Sequence, residues 1–338
     1  MRIAIANDNP TNKMVLISII EKQPGYDVAW TANDGAEAIT KCQLDTPDLI
    51  LMDMIMPVTN GVEACNVIMQ NTPCAIIIVT ASPTENSALI FKAMSYGALD
   101  VVQTPFSNAS GSENCKDDLL RKINIASRLI ESESKTKNGD FIEDGATEHS
   151  KKQLVVLGAS TGGPGVLANI LSKLPADFPV PVIIVQHVDS SFTESFSAWL
   201  NKQSELNVRI ARKGDKPKRG TVLVAGEGDH LIMTPSGQLA YSEEPKELVY
   251  KPSVNVFFNS VAKYWDGTII AALLTGMGDD GATGLANIHH LGGHTITQEK
   301  DSCAVYGMPK AADDLGVSMQ SLVPDDIADS IISIIGEK

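Results

Sequence analysis

Short apolar runs that alternate with helical patterns constrain this chain more than any other feature. Arg2–Ala6, Val28–Thr31, Leu49–Met52, Ala75–Thr80 and Leu99–Gln103 read as strands, with helical spacing near 11–22, 34–44, 60–70 and 85–96 between them. Strands that come singly, each followed by a helix, form a parallel sheet with helices on both faces. The segment 113–131 adds a last helix, with Leu119, Leu120, Ile123, Ile125, Leu129 and Ile130 at helical spacing. Composition then shifts. The stretch ESESKTKNGDFIEDGATEHSKK (131–152) is polar and charged, with Phe141 and Ile142 as its sizeable apolar residues, and reads as an exposed linker. A second α/β pattern starts at Gln153 and runs to the end. The expected fold class is α/β: two doubly wound parallel-sheet domains, over 1–131 and 153–338, joined by a linker over 132–152.

With 338 residues, 43% of them hydrophobic, each half has the material for a packed core. The formal net charge of −14 argues against nucleic acid, whose phosphates require clustered Lys and Arg. No apolar run approaches the roughly 18 residues that span a bilayer, so no membrane insertion is expected. The opening MRIAIANDNP meets Asn and Asp too soon for a signal peptide. Cys42, Cys65, Cys74, Cys115 and Cys303 are scattered without a CxxC pair, as in a reduced, cytoplasmic protein.

Ligand sites in parallel α/β sheets form at the carboxyl ends of the strands. In the first half those ends bring together Asn7-Asp8, Asp53, Thr80-Ala81 and Thr104-Pro105. Paired carboxylates there suit Mg²⁺. The plainer alternative, that Asp8 caps the next helix and Asp53 starts a turn, stays open on the residues alone.

In the second half, LGASTGGPGV (157–166) leads from a strand into a helix through small residues. It lacks the glycine spacing of a dinucleotide-binding turn, and Pro164 stands where a P-loop needs Lys. A nucleophile on a sharp turn fits better, with Ser160 between Ala159 and Gly162-Gly163. A simple N-cap at Ser160 or Thr161 is the bland alternative. A serine nucleophile needs a base. Among six histidines, His149 falls in the linker, His289 and His290 mid-helix, and His294 after two glycines. His187 ends the apolar strand PVIIVQHV on the same rim as Ser160, and His230, expected in a loop, is the next candidate. A base needs an acidic orienter. AALLTGMGDDGATG (271–284) offers Asp279 and Asp280, which could equally be helix-start residues.

Two resemblances carry these pieces further. Residues 1–131 resemble a two-component receiver domain through Asp8, MDMIMPVTNG (52–61) and Thr80. That likeness implies Asp53 as phosphoacceptor and Mg²⁺ held by Asp8, Asp53 and the Ile55 carbonyl. Three departures stand out: Asn7 in place of an acid, Thr104 in place of lysine, and Val101 in place of an aromatic switch residue. Residues 153–336 resemble the catalytic domain of the chemotaxis receptor methylesterases, the CheB family. The motifs are GASTGGP (158–164), IIVQHV (183–188), FTESFSAWL (192–200), PSVNVFFNSVA (252–262), LTGMGDDGATG (274–284) and TQEKDSCAVYGMPKAA (297–312). QEKDS departs from the family's more frequent Gln-Asp-Glu.

The second resemblance implies Ser160 as nucleophile, His187 as base, Asp280 as orienter and the Met277 backbone N–H as oxyanion donor. It implies hydrolysis of glutamate γ-methyl esters on methyl-accepting chemotaxis receptors, with glutamine deamidation, and no cofactor for catalysis. It also implies a receiver that covers the active site until a chemotaxis histidine kinase phosphorylates it. The rival readings are a non-catalytic two-domain signalling adaptor that binds receptor and kinase, and a nucleotide-binding protein that uses the glycine turn.

Overall fold

A computed structural model of the chain describes residues 1–81, 86–105, 112–131, 152–188, 190–248 and 250–336. Apart from Lys152, the linker expected over 132–152 lies outside the described residues. By internal contact the chain divides into Met1–Ser134 and Lys135–Lys338.

The first unit alternates β1 (Arg2–Ala6), α1 (Pro10–Glu21), β2 (Asp27–Ala32), α2 (Gly35–Leu44), β3 (Leu49–Met52), α3 (Gly61–Asn71), β4 (Ala75–Thr80), α4 (Ser87–Ser95), β5 (Asp100–Gln103) and α5 (Ser112–Glu131). The strands lie parallel in the order β2-β1-β3-β4-β5. This is the flavodoxin-like winding. Every second residue of the central strands, Ile3 and Ile5, Leu49 and Leu51, Ile77 and Val79, packs with Leu16, Ile20, Leu119 and Ile123 of α1 and α5. The period of two is what lets one strand feed two helical layers. The cap of α1 is Asn9, whose side chain accepts from Thr11 N and Asn12 N, so Asp8 is left exposed at the rim instead of capping the helix.

The second unit contains β6 (Gln153–Ala159), α6 (Gly163–Lys173), β7 (Val182–Gln186), α7 (Ser190–Gln203), β8 (Asn207–Ile210), β9 (Thr221–Val224), β10 (His230–Met233), β11 (Leu239–Ser242), α8 (Val254–Tyr264), β12 (Thr268–Leu273), α9 (Ala282–His290), β13 (His294–Gln298), α10 (Met308–Asp314), β14 (Gln320–Leu322) and α11 (Pro324–Gly336). Seven parallel strands run in the order β14-β13-β12-β6-β7-β9-β8. Helices α6, α7 and α11 pack together, and α8, α9 and α10 form the other group. Among the described residues no helix is long and apolar enough to cross a membrane.

Two local expectations change. His230 opens β10, half of an antiparallel hairpin with β11 that contacts α8. Four residues are too few to display a period, which hid this strand. His289 and His290 are the last two residues of α9, not mid-helix, because Gly292 at φ +79° turns the chain there.

The chain leaves β6 toward β7 on one side and later returns to β12 on the other. This reversal opens a crevice at the carboxyl end of β6. Gly158 sets how closely α8 approaches that strand, since a Cβ there would lie 2.4 Å from Val254 Cγ1 and 3.2 Å from Phe258 Cζ. Gly158→Ala is therefore expected to destabilise the second unit by about 1–3 kcal/mol, the cost of overpacking a filled core. Urea unfolding checks this, and an unchanged midpoint would contradict the packing described.

Candidate active site

In the first unit, the carboxyl ends of β1, β3, β4 and β5 bring Asn7, Asp53, Thr80 and Thr104 onto one rim. Asn7, Thr80 and Thr104 are buried. The Asn7 amide nitrogen donates to Asp53 Oδ2 (2.9 Å), and its oxygen accepts from Asn9 N (2.9 Å). Ile55 N donates to Asp53 Oδ1 (3.3 Å). Burial pushes the Asp53 carboxyl up to about 6, against N–H bonds from Ile55 and Met54 and with a small contribution from the Asp8 charge. Thr104 N donates to Thr80 O (3.0 Å). Lys122 of α5 does not stand in for the missing lysine. Lys122 is buried, but it is tied to Val101 O (2.6 Å), Asp100 (3.2 Å) and Asp118 (3.3 Å).

Among the described residues no group of three or more His, Cys, Asp or Glu is arranged to hold a metal. The expected Mg²⁺ donors, Asp8, Asp53 and the Ile55 carbonyl, are two carboxylates and a carbonyl, and the oxygen of Asn7 is engaged by Asn9. Water and phosphoryl oxygens ordinarily complete such a Mg²⁺ shell, so the residues fit a sparse site.

In the second unit, Ser160 follows β6 and His187 follows β7, on adjacent strands. His187 N donates to Ala159 O (3.1 Å), and Gln186 Nε2 donates to Ser160 O (2.8 Å), which locks the two strand ends in register. Ser160 N donates to Thr275 O (3.0 Å), so the turn after β12 is fastened to Ser160 as well. Two glycines make this approach possible. Gly162 adopts φ +77° with Ala304 Cβ 2.5 Å from where its own Cβ would be. At Gly276 a Cβ would lie 2.6 Å from Ser160 Cβ.

Asp280 arrives from the turn before α9, yet its carboxylate serves the start of α8. Oδ2 accepts from His187 Nε2 (2.8 Å) and Val254 N (2.7 Å), and Oδ1 accepts from Ser253 Oγ (2.8 Å) and Asn255 N (3.0 Å). Burial alone would raise this carboxyl. The His187 ring, the Asn255 N–H and the Ser253 hydroxyl together outweigh it and hold Asp280 below the ordinary carboxylate range. Asp280 is thus an anion, which accepts only, and His187 Nε2 must carry the proton between them. His187 Nδ1 is left buried without a hydrogen-bond partner. Asp279 is exposed, and its carbonyl takes the Ala282 N–H, so it stands outside the site.

Sequence reasoning missed several supports. Tyr250 stacks on the His187 ring, with centroids 4.1 Å apart and planes within 4°. Thr275, fully buried, donates to Thr161 O (2.9 Å) and accepts from Val305 N (3.0 Å), while its own N–H goes to Gln298 Oε1 (2.9 Å). The motifs PSVNVFFNSVA and TQEKDSCAVYGMPKAA contain Ser253 and Gln298, but nothing in their spacing reveals what these side chains touch. Met277 follows Gly276 in the same turn, and among the described residues nothing accepts its N–H.

Comparison with known proteins agrees with this architecture. The CheB methylesterase family matches residues 155–331, and the response regulator receiver domain family matches 3–114. A protein-glutamate methylesterase/protein-glutamine glutaminase of Bordetella avium is 46% identical over 328 residues, 97% of this chain and 95% of its own. One from Pseudomonas aeruginosa is 43% identical over 334 residues, 99% of both chains. The crystal structure of the Thermotoga maritima CheB methylesterase catalytic domain superposes with a TM-score of 0.52 at 34% identity, covering 54% of this chain and 98% of that one. With a serine, a histidine and a buried carboxylate assembled at the crevice of the second sheet, and with relatives matching from end to end, the chain belongs to the CheB methylesterase family and carries a response regulator receiver domain ahead of its catalytic domain.

Proposed function

We propose that the chain hydrolyses glutamate γ-methyl esters of chemoreceptors through Ser160, His187 and Asp280, and deamidates receptor glutamines at the same site. The observation that carries the assignment is the His187 Nε2 to Asp280 Oδ2 bond of 2.8 Å, beside a serine on the adjacent strand end. With Nε2 committed to Asp280, Nδ1 is the ring nitrogen that takes the Ser160 proton. Ser160 Oγ attacks the ester carbonyl, and the backbone N–H of Met277 stabilises the oxyanion that forms. The imidazolium returns its proton to the departing methanol, or to ammonia from a glutamine. Water, deprotonated by the same ring, then attacks the acyl-serine and frees the carboxylate.

The receiver would be regulatory. Mg²⁺, where bound, would be held by Asp8, Asp53 and the Ile55 carbonyl and would neutralise charge as Asp53 accepts a phosphoryl group from a chemotaxis histidine kinase. This reading implies a cytoplasmic protein. The adaptor alternative loses ground because the end-to-end relatives are named as enzymes. The nucleotide alternative loses ground because Ala304 packs against Gly162, where a phosphate would have to approach.

Ser160→Ala, His187→Ala and Asp280→Ala should each cut methanol release from methylated receptor by at least about 10³-fold, with Asp280→Ala the mildest, and a double variant should be little worse than the worst single. Asp279→Ala should stay near wild type. A fluorophosphonate should label the wild type and not Ser160→Ala; turnover retained by Ser160→Ala would refute the mechanism.

The rate should also fall as the solution is made acidic, because the base works unprotonated. Asp280 is held below the ordinary carboxylate range, so one acid limb is expected. A flat profile from pH 8 to 5 would exclude a histidine base.

Acetyl phosphate or beryllofluoride with Mg²⁺ should activate the full chain by less than about tenfold. A switch moves only as far as its differential contacts allow, and Thr104 lacks the lysine's charge-assisted bond, worth about 1–3 kcal/mol. Removing residues 1–150 should activate more. Strong activation that Asp53→Ala abolishes would show the lysine to be dispensable.

A further inference from the structure

We infer that His230 is a positioning residue for Asp280, acting through the first turn of α8; the inference rests on the triad reading above. A carboxylate bonded by the N–H groups of a helix start is placed no better than that helix start. Ser253, Val254 and Asn255 supply three of the four donors to Asp280, so the location of this turn decides where the His187 ring is held.

Ser253 caps α8 with its hydroxyl, which accepts from Val256 N (3.3 Å) while donating to Asp280. Its own N–H points back to the hairpin, where His230 Nδ1 accepts it (3.0 Å). His230 is fully buried at the start of β10. A ring nitrogen that accepts an N–H carries no proton, so the proton lies on Nε2, which donates to Pro245 O (3.1 Å). Both polar atoms of the ring are satisfied in one tautomer. A continuous chain of hydrogen bonds results: Pro245 carbonyl, His230, Ser253, Asp280, His187. Neither nitrogen of His230 is left for substrate, so the residue works through Asp280.

The simpler explanation is that His230 only pins the hairpin to α8. The fold contains a control for that role. Ser260 Oγ, two turns along the same helix, accepts from Met233 N (2.8 Å) at the other end of the same strand. That second stitch joins the same two elements without touching the turn that holds Asp280.

The test uses the full chain with His230→Asn, His230→Gln, His230→Leu, Ser260→Ala and Asp280→Ala. Each is measured for kcat and KM of methanol release, for fluorophosphonate labelling of Ser160, and for urea unfolding. The Asn side-chain oxygen reaches the place of Nδ1 and should keep most of the rate. Gln, which reaches the Nε2 place instead, and Leu should lower kcat by about 10–100-fold with KM unchanged, as a small misplacement of catalytic groups does. Labelling should slow in parallel, and Ser260→Ala should keep the wild-type rate. Wild-type kcat in the Gln and Leu variants, with Asp280→Ala slow, would overturn the inference and leave the triad standing. So would a Ser260→Ala variant as slow as Leu at equal loss of stability. If the Leu variant does not fold, the contrast between Asn and Gln decides. A fast Asp280→Ala would overturn the triad reading itself.

Discussion

The catalytic unit depends on one buried carboxylate that must stay ionised. Asp280 is removed from water, which disfavours its charge, and it remains an anion because four hydrogen bonds converge on its two oxygens. Two of these are first-turn N–H groups of α8, where the helix dipole adds a favourable field. The same bonds that stabilise the charge also fix its direction. A helix start that would otherwise leave donors unsatisfied, and a carboxylate that would otherwise be costly to bury, resolve each other's problem. The imidazole of His187 is oriented as a consequence.

Much of this was legible in the sequence, and the division between what was and was not has a physical basis. The βα alternation is written in strand runs such as Ala75–Thr80 and in helical spacing such as that of Leu119 and Ile123, so the parallel sheets could be drawn. Ser160, His187 and the Asp279-Asp280 pair could be placed on one rim because each ends or follows a strand, whereas the choice of Asp280 over Asp279 came from the family resemblance; the meeting at adjacent ends of β6, β7 and β12 follows from strand order. Local explanations failed where the partner is remote in sequence. Asp280 looks like a start signal for α9, its neighbour in the chain, but it serves α8, whose first residue lies 26 positions earlier. His230 looked like a loop residue because its role depends on Ser253, 23 positions away. Asp8 looked like a helix cap, and Asn9 took that place.

The two units show opposite treatment of the same architectural opportunity. Each is a parallel sheet with polar residues at its carboxyl rim. In the second, backbone and side-chain bonds tie the strand ends around Ser160 together, and His187 Nδ1 is left buried without a partner. In the first, Asn7 donates to Asp53 where a second acid would have repelled it, and Lys122 is spent on Val101 O, on Asp100 at the start of β5 and on Asp118 of its own helix. Burial raises the Asp53 carboxyl to about 6.

The position of β12 between β6 and β13 has a consequence for biosynthesis. Ser160 and His187 belong to strands made early, and β6, β7, β8 and β9 can pair with one another as they emerge. Asp280 and the Met277 turn follow a strand that comes more than a hundred residues after Ser160 and must dock against the open edge of β6. Contacts so distant in sequence form late. A nascent chain therefore carries its serine through more than a hundred residues of further translation without the groups that align it. The site is completed by the same event that closes the centre of the sheet, so hydrolytic competence arrives with the finished fold.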